Sequence, residues 1–337
     1  MSMYVASRTS ECPYCSAHTC SFAMRRGASP QKLAQALVGD GAPFSPGELA
    51  TIVVARSLAR IPCELTASER DELTRCYGPD HAEWIVLGAV MMGFLNKFMD
   101  TIGVELEPSV VAEVSTTMGP SWSPGKAGKD LDRAAARKPP PPADGLSTKL
   151  SILPLLPSAL RMDNRWQKGV PNTWPAVGEF LHERTGHDFP VLPRLRHARV
   201  VRSVASMLHE NLNPATTVVG TGVKVLAGLI FAEIAADEAL AADVRALAAR
   251  NGVTETQLDQ AKRFAGDQHA TWPVSDPTMR SMLVLVRAAS PSPAEIDADV
   301  VAACREGGLS APAIVELVSW ISVLQMLHRL SSYYVAT

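Results

Sequence analysis

The sequence predicts an all-α protein made of two similar helical halves with a proline-rich stretch between them. Three observations carry this expectation. Ala, Leu and Val dominate an apolar share of 47% while aromatic residues make up only 6%, a composition that favours helix. Apolar residues recur at helical spacing between recognisable start and stop signals. Four blocks of the first half also return in order in the second, at a separation of about 225 to 232 residues.

Pro46-Gly47-Glu48 opens a helix through Ile52-Val53-Val54-Ala55-Arg56-Ser57-Leu58. Thr66 and Glu69 form a capping-box pattern, with Thr66 at the N-cap and Glu69 three residues on. Pro79-Asp80 then starts a long apolar helix ending near Asp100, with Gly103 as its stop. Its charge-free run from Trp84 to Leu95 is about 12 residues, too short to span a bilayer, so it reads as a buried core helix. From Gly119 to Gly145 helical signals vanish. The run Pro139 to Pro142 removes backbone donors and favours an extended polyproline conformation. The expected organisation is a first repeat over 1–108, a Pro/Gly-rich linker over 109–150, and a second, degenerate repeat with preceding helices over 151–337. That helical prelude, roughly Trp174 to Glu210, carries His182, His187, His197 and His209 without tight metal spacing. They are expected at the surface or in packing.

The repeating blocks are specific. Met24-Arg25-Arg26-Gly27-Ala28-Ser29-Pro30 parallels Ala249-Arg250-Asn251-Gly252-Val253-Thr254-Glu255, and Ile52-Val53-Val54-Ala55-Arg56 parallels Leu283-Val284-Leu285-Val286-Arg287. Cys76 and Cys304 close equivalent helices, and Met92 to Phe98 parallels Leu324 to Leu330. At the same offset, Cys12, Cys15 and His18 fall on Asp237, Leu240 and Asp243. The second copy keeps the apolar pattern and loses every soft nucleophile, so packing does not require the cysteines. Asn96 and His328 are equivalent and are expected to share an inter-helix hydrogen bond.

The totals narrow the function. A chain of 337 residues is long enough for two domains. A formal net charge of −2 supplies no field that would recruit nucleic acid or an anionic membrane. The start lacks a basic region followed by an apolar one, so no secretory signal is read. Three of the six cysteines crowd into Cys12 to Cys20, which is not a secreted disulfide framework. A cytoplasmic setting is expected. No Gly-rich phosphate loop, nucleophile elbow or basic-aromatic stripe is present, and no cofactor is called for.

The chemically dense segment is Glu11-Cys12-Pro13-Tyr14-Cys15-Ser16-Ala17-His18-Thr19-Cys20. Positions three apart share a helix face, so Cys12 and Cys15 can meet and form a disulfide. A helix N-terminus stabilises a thiolate there. His18, one turn on, could move protons to or from Cys15. One sulfur attacks a hydroperoxide to give a sulfenic acid, its neighbour condenses onto it, and a dithiol reductant resets the pair. Structural zinc is disfavoured. On one straight helix Cys12, Cys15, His18 and Cys20 sit at roughly 0°, 300°, 240° and 80°, and cannot converge on one ion. Cys20 is expected to be a core thiol, and Met91, Met92 and Met99 core filler.

In Val5-Ala6-Ser7-Arg8 leading into Cys12-Pro13-Tyr14-Cys15 and His18-Thr19, the chain resembles the AhpD-like alkylhydroperoxidase and carboxymuconolactone decarboxylase superfamily. Phe44-Ser45-Pro46-Gly47-Glu48-Leu49 and Phe94-Leu95-Asn96-Lys97-Phe98-Met99-Asp100 also look like its later helices. The resemblance covers about residues 1–104, and 190–335 as a degenerate second copy. It implies two tandem AhpD-like helical repeats, peroxiredoxin-type peroxidase activity and homo-oligomer assembly. It further implies Cys15 as the peroxide-attacking cysteine and Cys12 as the resolving one. Thr19 stands where the family has its histidine, with His18 one residue before it. The family's glutamate, about twelve residues ahead of the first cysteine, has no counterpart. A cysteine helix so near Met1 leads us to expect an upstream extension or a lid from another subunit. Two other functions fit the sequence: ring-lactone decarboxylation, the superfamily's proton-transfer activity, and a non-catalytic redox-sensing or zinc-stabilised module.

Overall fold

The computed structural model describes residues 1–38, 44–119, 122–124, 145–146, 150, 153–267, 269–272 and 276–335, the side chains of 164–166 and 335 excepted. These residues form 16 α-helices and contain no strand. The first group is α1 (Ser2–Thr9), α2 (Pro13–Arg25), α3 (Pro30–Gln35), α4 (Pro46–Ala59), α5 (Ala67–Tyr77), α6 (Pro79–Ile102) and α7 (Pro108–Met118). Three helices follow, α8 (Leu156–Trp166), α9 (Trp174–Thr185) and α10 (Ala198–Leu212). The last group is α11 (Thr221–Ile234), α12 (Glu238–Ala246), α13 (Glu255–Gly266), α14 (Pro277–Ala289), α15 (Ala298–Glu306) and α16 (Ala311–Val335).

Local chemistry sets many of these limits. Reciprocal capping boxes open α4 (Ser45, Glu48), α5 (Thr66, Glu69) and α13 (Thr254, Gln257). Each satisfies N–H groups that the first helical turn leaves without intrahelical partners. Gly103, in the left-handed region at φ 70°, ends α6, a conformation that costs glycine little.

The long helices α6 and α16, of 24 and 25 residues, pack along each other at the centre of the molecule. By length and composition alone both could cross a membrane. Gly93 brings them close, because a Cβ there would lie 3.0 Å from Cδ of Arg329 and 3.3 Å from the Gln325 carbonyl. Around this pair, α1 packs on α2, α4 and α6, and α11 packs on α12, α14 and α16. The α1–α2 and α11–α12 corners have the same backbone. Glu11 and Ala236 are both left-handed, at φ 53° and 50°. The Cys12 N–H donates to Ser7 O at 3.3 Å, and the Asp237 N–H to Ala232 O at 2.9 Å. Each long helix also faces a turn with a cis peptide, Ile61–Pro62 after α4 and Ser292–Pro293 after α14.

One boundary differs from the sequence expectation. Residues 108–118 form α7, which lies on α2. There the Ser21 hydroxyl donates to Glu113 Oε2 at 2.7 Å, and Arg25 pairs with the same carboxylate. The first helical group therefore extends to Met118 and includes the start of the stretch expected as linker. The prolines 139–142 lie outside the described residues. Of the three methionines, Met92 is buried and Met91 is exposed, while Met99 lines a cavity beside Cys12.

Candidate active site

The α1–α2 corner positions the two sulfurs. Left-handed Glu11 turns the chain, Cys12 is extended at the N-cap, and Pro13 opens the helix where its missing N–H costs no hydrogen bond. Cys12 Sγ accepts the Cys15 backbone N–H at 3.4 Å. It thus takes the place that a carboxylate or hydroxyl oxygen fills in an ordinary cap. At the matching corner Asp237 does the same with an oxygen, accepting the Leu240 N–H at 2.9 Å. Cys12 and Cys15 are only 0% and 3% exposed, and both are free thiols.

The pair does not ionise symmetrically. The Cys15 thiol is pushed far above the usual range, first by its hydrogen bond to Cys12, then by burial and by the charges of Cys12 and Asp100, with Arg329 opposing. Cys15 is therefore held in its protonated form, hydrogen-bonded to the Cys12 sulfur at the N-terminus of α2. A cavity of about 200 Å³ reaches Cys12 and not Cys15. Its walls include Glu11, Tyr14, Asp100 and Pro293. The nearby Cys20 is fully buried, and burial raises its thiol to about 12, as expected of an inert core cysteine.

His18 is hydrogen-bonded to a carboxylate rather than to either cysteine. Its Nε2 is 2.9 Å from Glu107 Oε2, its side chain is 36% exposed, and its ring lies 4.4 Å from that of Tyr14. The structure thus joins Cys12 with Cys15 and joins His18 with a carboxylate from the N-cap of α7. Asn96 and His328 also part company. Asn96 Nδ2 donates to Ala6 O at 3.5 Å, whereas His328 Nδ1 is 2.7 Å from Asp237 Oδ2. Among the described residues no group of three or more His, Cys, Asp or Glu side chains is arranged to hold a metal ion.

Two buried cations complete the surroundings, and sequence reasoning singled out neither for the site. Lys97 Nζ donates to Ser290 O at 3.1 Å and to Pro291 O, in the turn whose next residues, Pro293 and Ala294, wall the Cys12 cavity. Arg329 donates through Nη1 to Ala89 O at 2.6 Å and through Nη2 to Ser10 Oγ at 2.9 Å. Burial lowers Arg329 to about 10. Burial likewise lowers Lys97 to about 7, with Asp100 and Cys12 opposing the shift and Arg329 adding to it. Above pH 7 the unfolded chain therefore holds a proton on Lys97 that the folded chain has released. Stability should rise from about pH 7 towards the unfolded value of 10.5. The slope from this group is up to ~1.4 kcal/mol per pH unit, and its penalty is fully present below pH 7. Denaturant unfolding at several pH values checks this. Lys97→Met is expected to flatten the slope, and parallel curves would contradict the assignment.

Comparison with protein-family models, with curated proteins and with solved structures finds no match to this chain. What the site does must be argued from its own geometry.

Proposed function

We propose that the chain is a thiol peroxidase of AhpD-like type, built as two tandem helical repeats with the working dithiol in the first. The observation that carries this reading is the contact between Cys12 and Cys15 at a helix N-terminus, with Cys12 facing a small cavity. The Cys12 thiolate attacks the distal oxygen of a hydroperoxide. The O–O bond breaks, the alkoxide takes a proton and leaves as an alcohol, and Cys12 becomes a sulfenic acid. The Cys15 thiol then attacks that sulfur and water departs, leaving the Cys12–Cys15 disulfide. An external dithiol returns two electrons and two protons. This order reverses the one implied by the resemblance. Its physical reason is that Cys15 is held protonated by Cys12 and by burial.

The repeat reading is supported by matched corners and by matched cavities. Glu11, Cys12, Pro293, Ala294 and Asp100 around the first cavity correspond in order to Ala236, Asp237, Pro62, Cys63 and Ser332 around a second, of about 450 Å³. Only the first has a dithiol at its helix cap. A cytoplasmic setting and homo-oligomer assembly belong to the same proposal.

The test is hydroperoxide consumption by the purified protein. An organic hydroperoxide should disappear catalytically with dithiothreitol present and stoichiometrically, at most, without it. No consumption under either condition would reject the enzyme and leave a redox-sensing or structural module.

A further inference from the structure

The second half of the chain holds a buried imidazole that the peroxidase reading does not use. His328, on α16, is 3% exposed, and its Nδ1 lies 2.7 Å from Asp237 Oδ2. The other carboxylate oxygen, Oδ1, accepts the Leu240 N–H and caps α12. The cap thus fixes the carboxylate, and the carboxylate fixes the ring. A carboxylate can only accept, so Nδ1 carries the proton and the lone pair of the neutral ring falls on Nε2. That nitrogen is buried and has no hydrogen-bond partner among the described residues. An unmet buried acceptor is rare and needs a reason.

Two observations point away from a purely structural pair. The fold does not ask for it: the matching positions of the first half are Cys12 and Asn96, and Asn96 donates instead to Ala6 O. Asp237 and His328 also stand in the wall of one cavity, of about 450 Å³, where the start of α12, the turn after α4 and the end of α16 meet. That size admits a small organic molecule. Pro62 and Leu65 make part of the wall apolar. Its charged groups are the carboxylates of Asp237 and Glu238, with no lysine or arginine, so it favours a neutral molecule over an anion. Cys63, in the same wall, donates its thiol to Ser57 O at 3.4 Å and is raised by burial. It is no rival to the imidazole as a base.

We infer that this cavity is a second active site, in which His328 is a general base that removes a proton from a small, neutral, weakly acidic molecule. Asp237 is the positioning residue that orients the ring. Nε2 takes the proton of an activated C–H group, and the bonding pair stays with the substrate. Asp237 holds the imidazolium that forms. Glu238 and Ala239 open α12 in the same wall, where the positive end of the helix favours the negative charge that develops. Return of the proton to another atom of the molecule, or its loss to solvent, resets the base. No electrons change hands, so the site works without the dithiol and its reductant. It stands whether or not Cys12 and Cys15 reduce peroxide.

The experiment offers the full chain 5-nitrobenzisoxazole, a neutral probe for a general base. Removal of its ring C–H proton breaks the N–O bond and releases a nitrophenolate that is read by its absorbance. Wild type is expected to saturate with the probe, and His328→Asn to lower kcat/KM by at least about tenfold. Asparagine is what the first half carries at this point, so the variant should fold. Asp237→Asn keeps a good helix cap. It should lower kcat by at least about tenfold while KM moves by less than about twofold, a split that a loss of structure does not give. His187→Asn breaks the pair with Asp243 at 2.8 Å, outside the cavity wall, and should leave the rate unchanged. A wild-type rate no higher than that of folded His328→Asn overturns the inference. So does an Asp237→Asn rate equal to wild type, or an equal loss in His187→Asn. Should His328→Asn not fold, the Asp237→Asn split decides by the same criteria.

Discussion

Replacing Cys12 or Cys15 by serine is expected to lower dithiol-dependent hydroperoxide turnover by at least roughly a hundredfold, whereas His18→Ala should cost less than about tenfold. The two cysteines act as a unit, one sulfur receiving the oxygen and the other expelling it as water. Losing either stops the cycle, so the double mutant should be little worse than each single one. The variants should differ in what they accumulate. Cys15→Ser leaves Cys12 able to react once, giving a sulfenic acid that a dimedone-type reagent traps. Cys12→Ser leaves a thiol that burial still holds protonated, and little should be trapped. His18 is spared because it is paired with Glu107 and lies tilted against the Tyr14 ring, partly in solvent. Steady-state kinetics with trapping and peptide mapping check all of this. Trapping at Cys15 in Cys12→Ser, with none at Cys12 in Cys15→Ser, would restore the order implied by the resemblance.

Trp320→Ala should be the most damaging single truncation of the scaffold, costing about 3–5 kcal/mol. Trp320 is on α16, is fully buried, and donates its indole N–H to Lys224 O on α11 at 2.7 Å. Truncation empties a large volume and breaks the link between α16 and α11. The carbonyl of Lys224, whose buried side chain pairs with Glu316 at 2.7 Å, loses its indole partner. A domain is commonly stable by only about 5–15 kcal/mol, so the loss should appear as a large drop in the denaturant midpoint. A change under about 1 kcal/mol would mean that α16 is not the central element it is taken to be.

Much of this architecture was legible because its signals are local. Thr66 and Glu69, Pro79 and Gly103 mark their helix ends through backbone chemistry that needs no tertiary context. Helix α7 was missed for the opposite reason. It is short and contains Val110, Val111 and Val114, which favour helix weakly, and packing on α2 holds it. The site divides in the same way. Cys12 and Cys15 are one turn apart, so spacing alone brings them together. Glu107, Lys97 and Arg329 arrive from distant segments, and a lone cation in an apolar helix is indistinguishable in sequence from one that reaches solvent. His18 carried the right chemistry at a promising spacing. In the structure its ring is bonded to Glu107 and lies beside Tyr14, contacts that spacing does not reveal.

Peptide mass spectrometry of the reduced protein after a stoichiometric dose of organic hydroperoxide tests the central claim most directly. The expected product is a loss of two hydrogens in the peptide that holds both sulfurs, with fragmentation locating the bridge between Cys12 and Cys15 and reversal by a dithiol. Recovery of both residues as thiols, or a bridge that runs instead to Cys20, would contradict it.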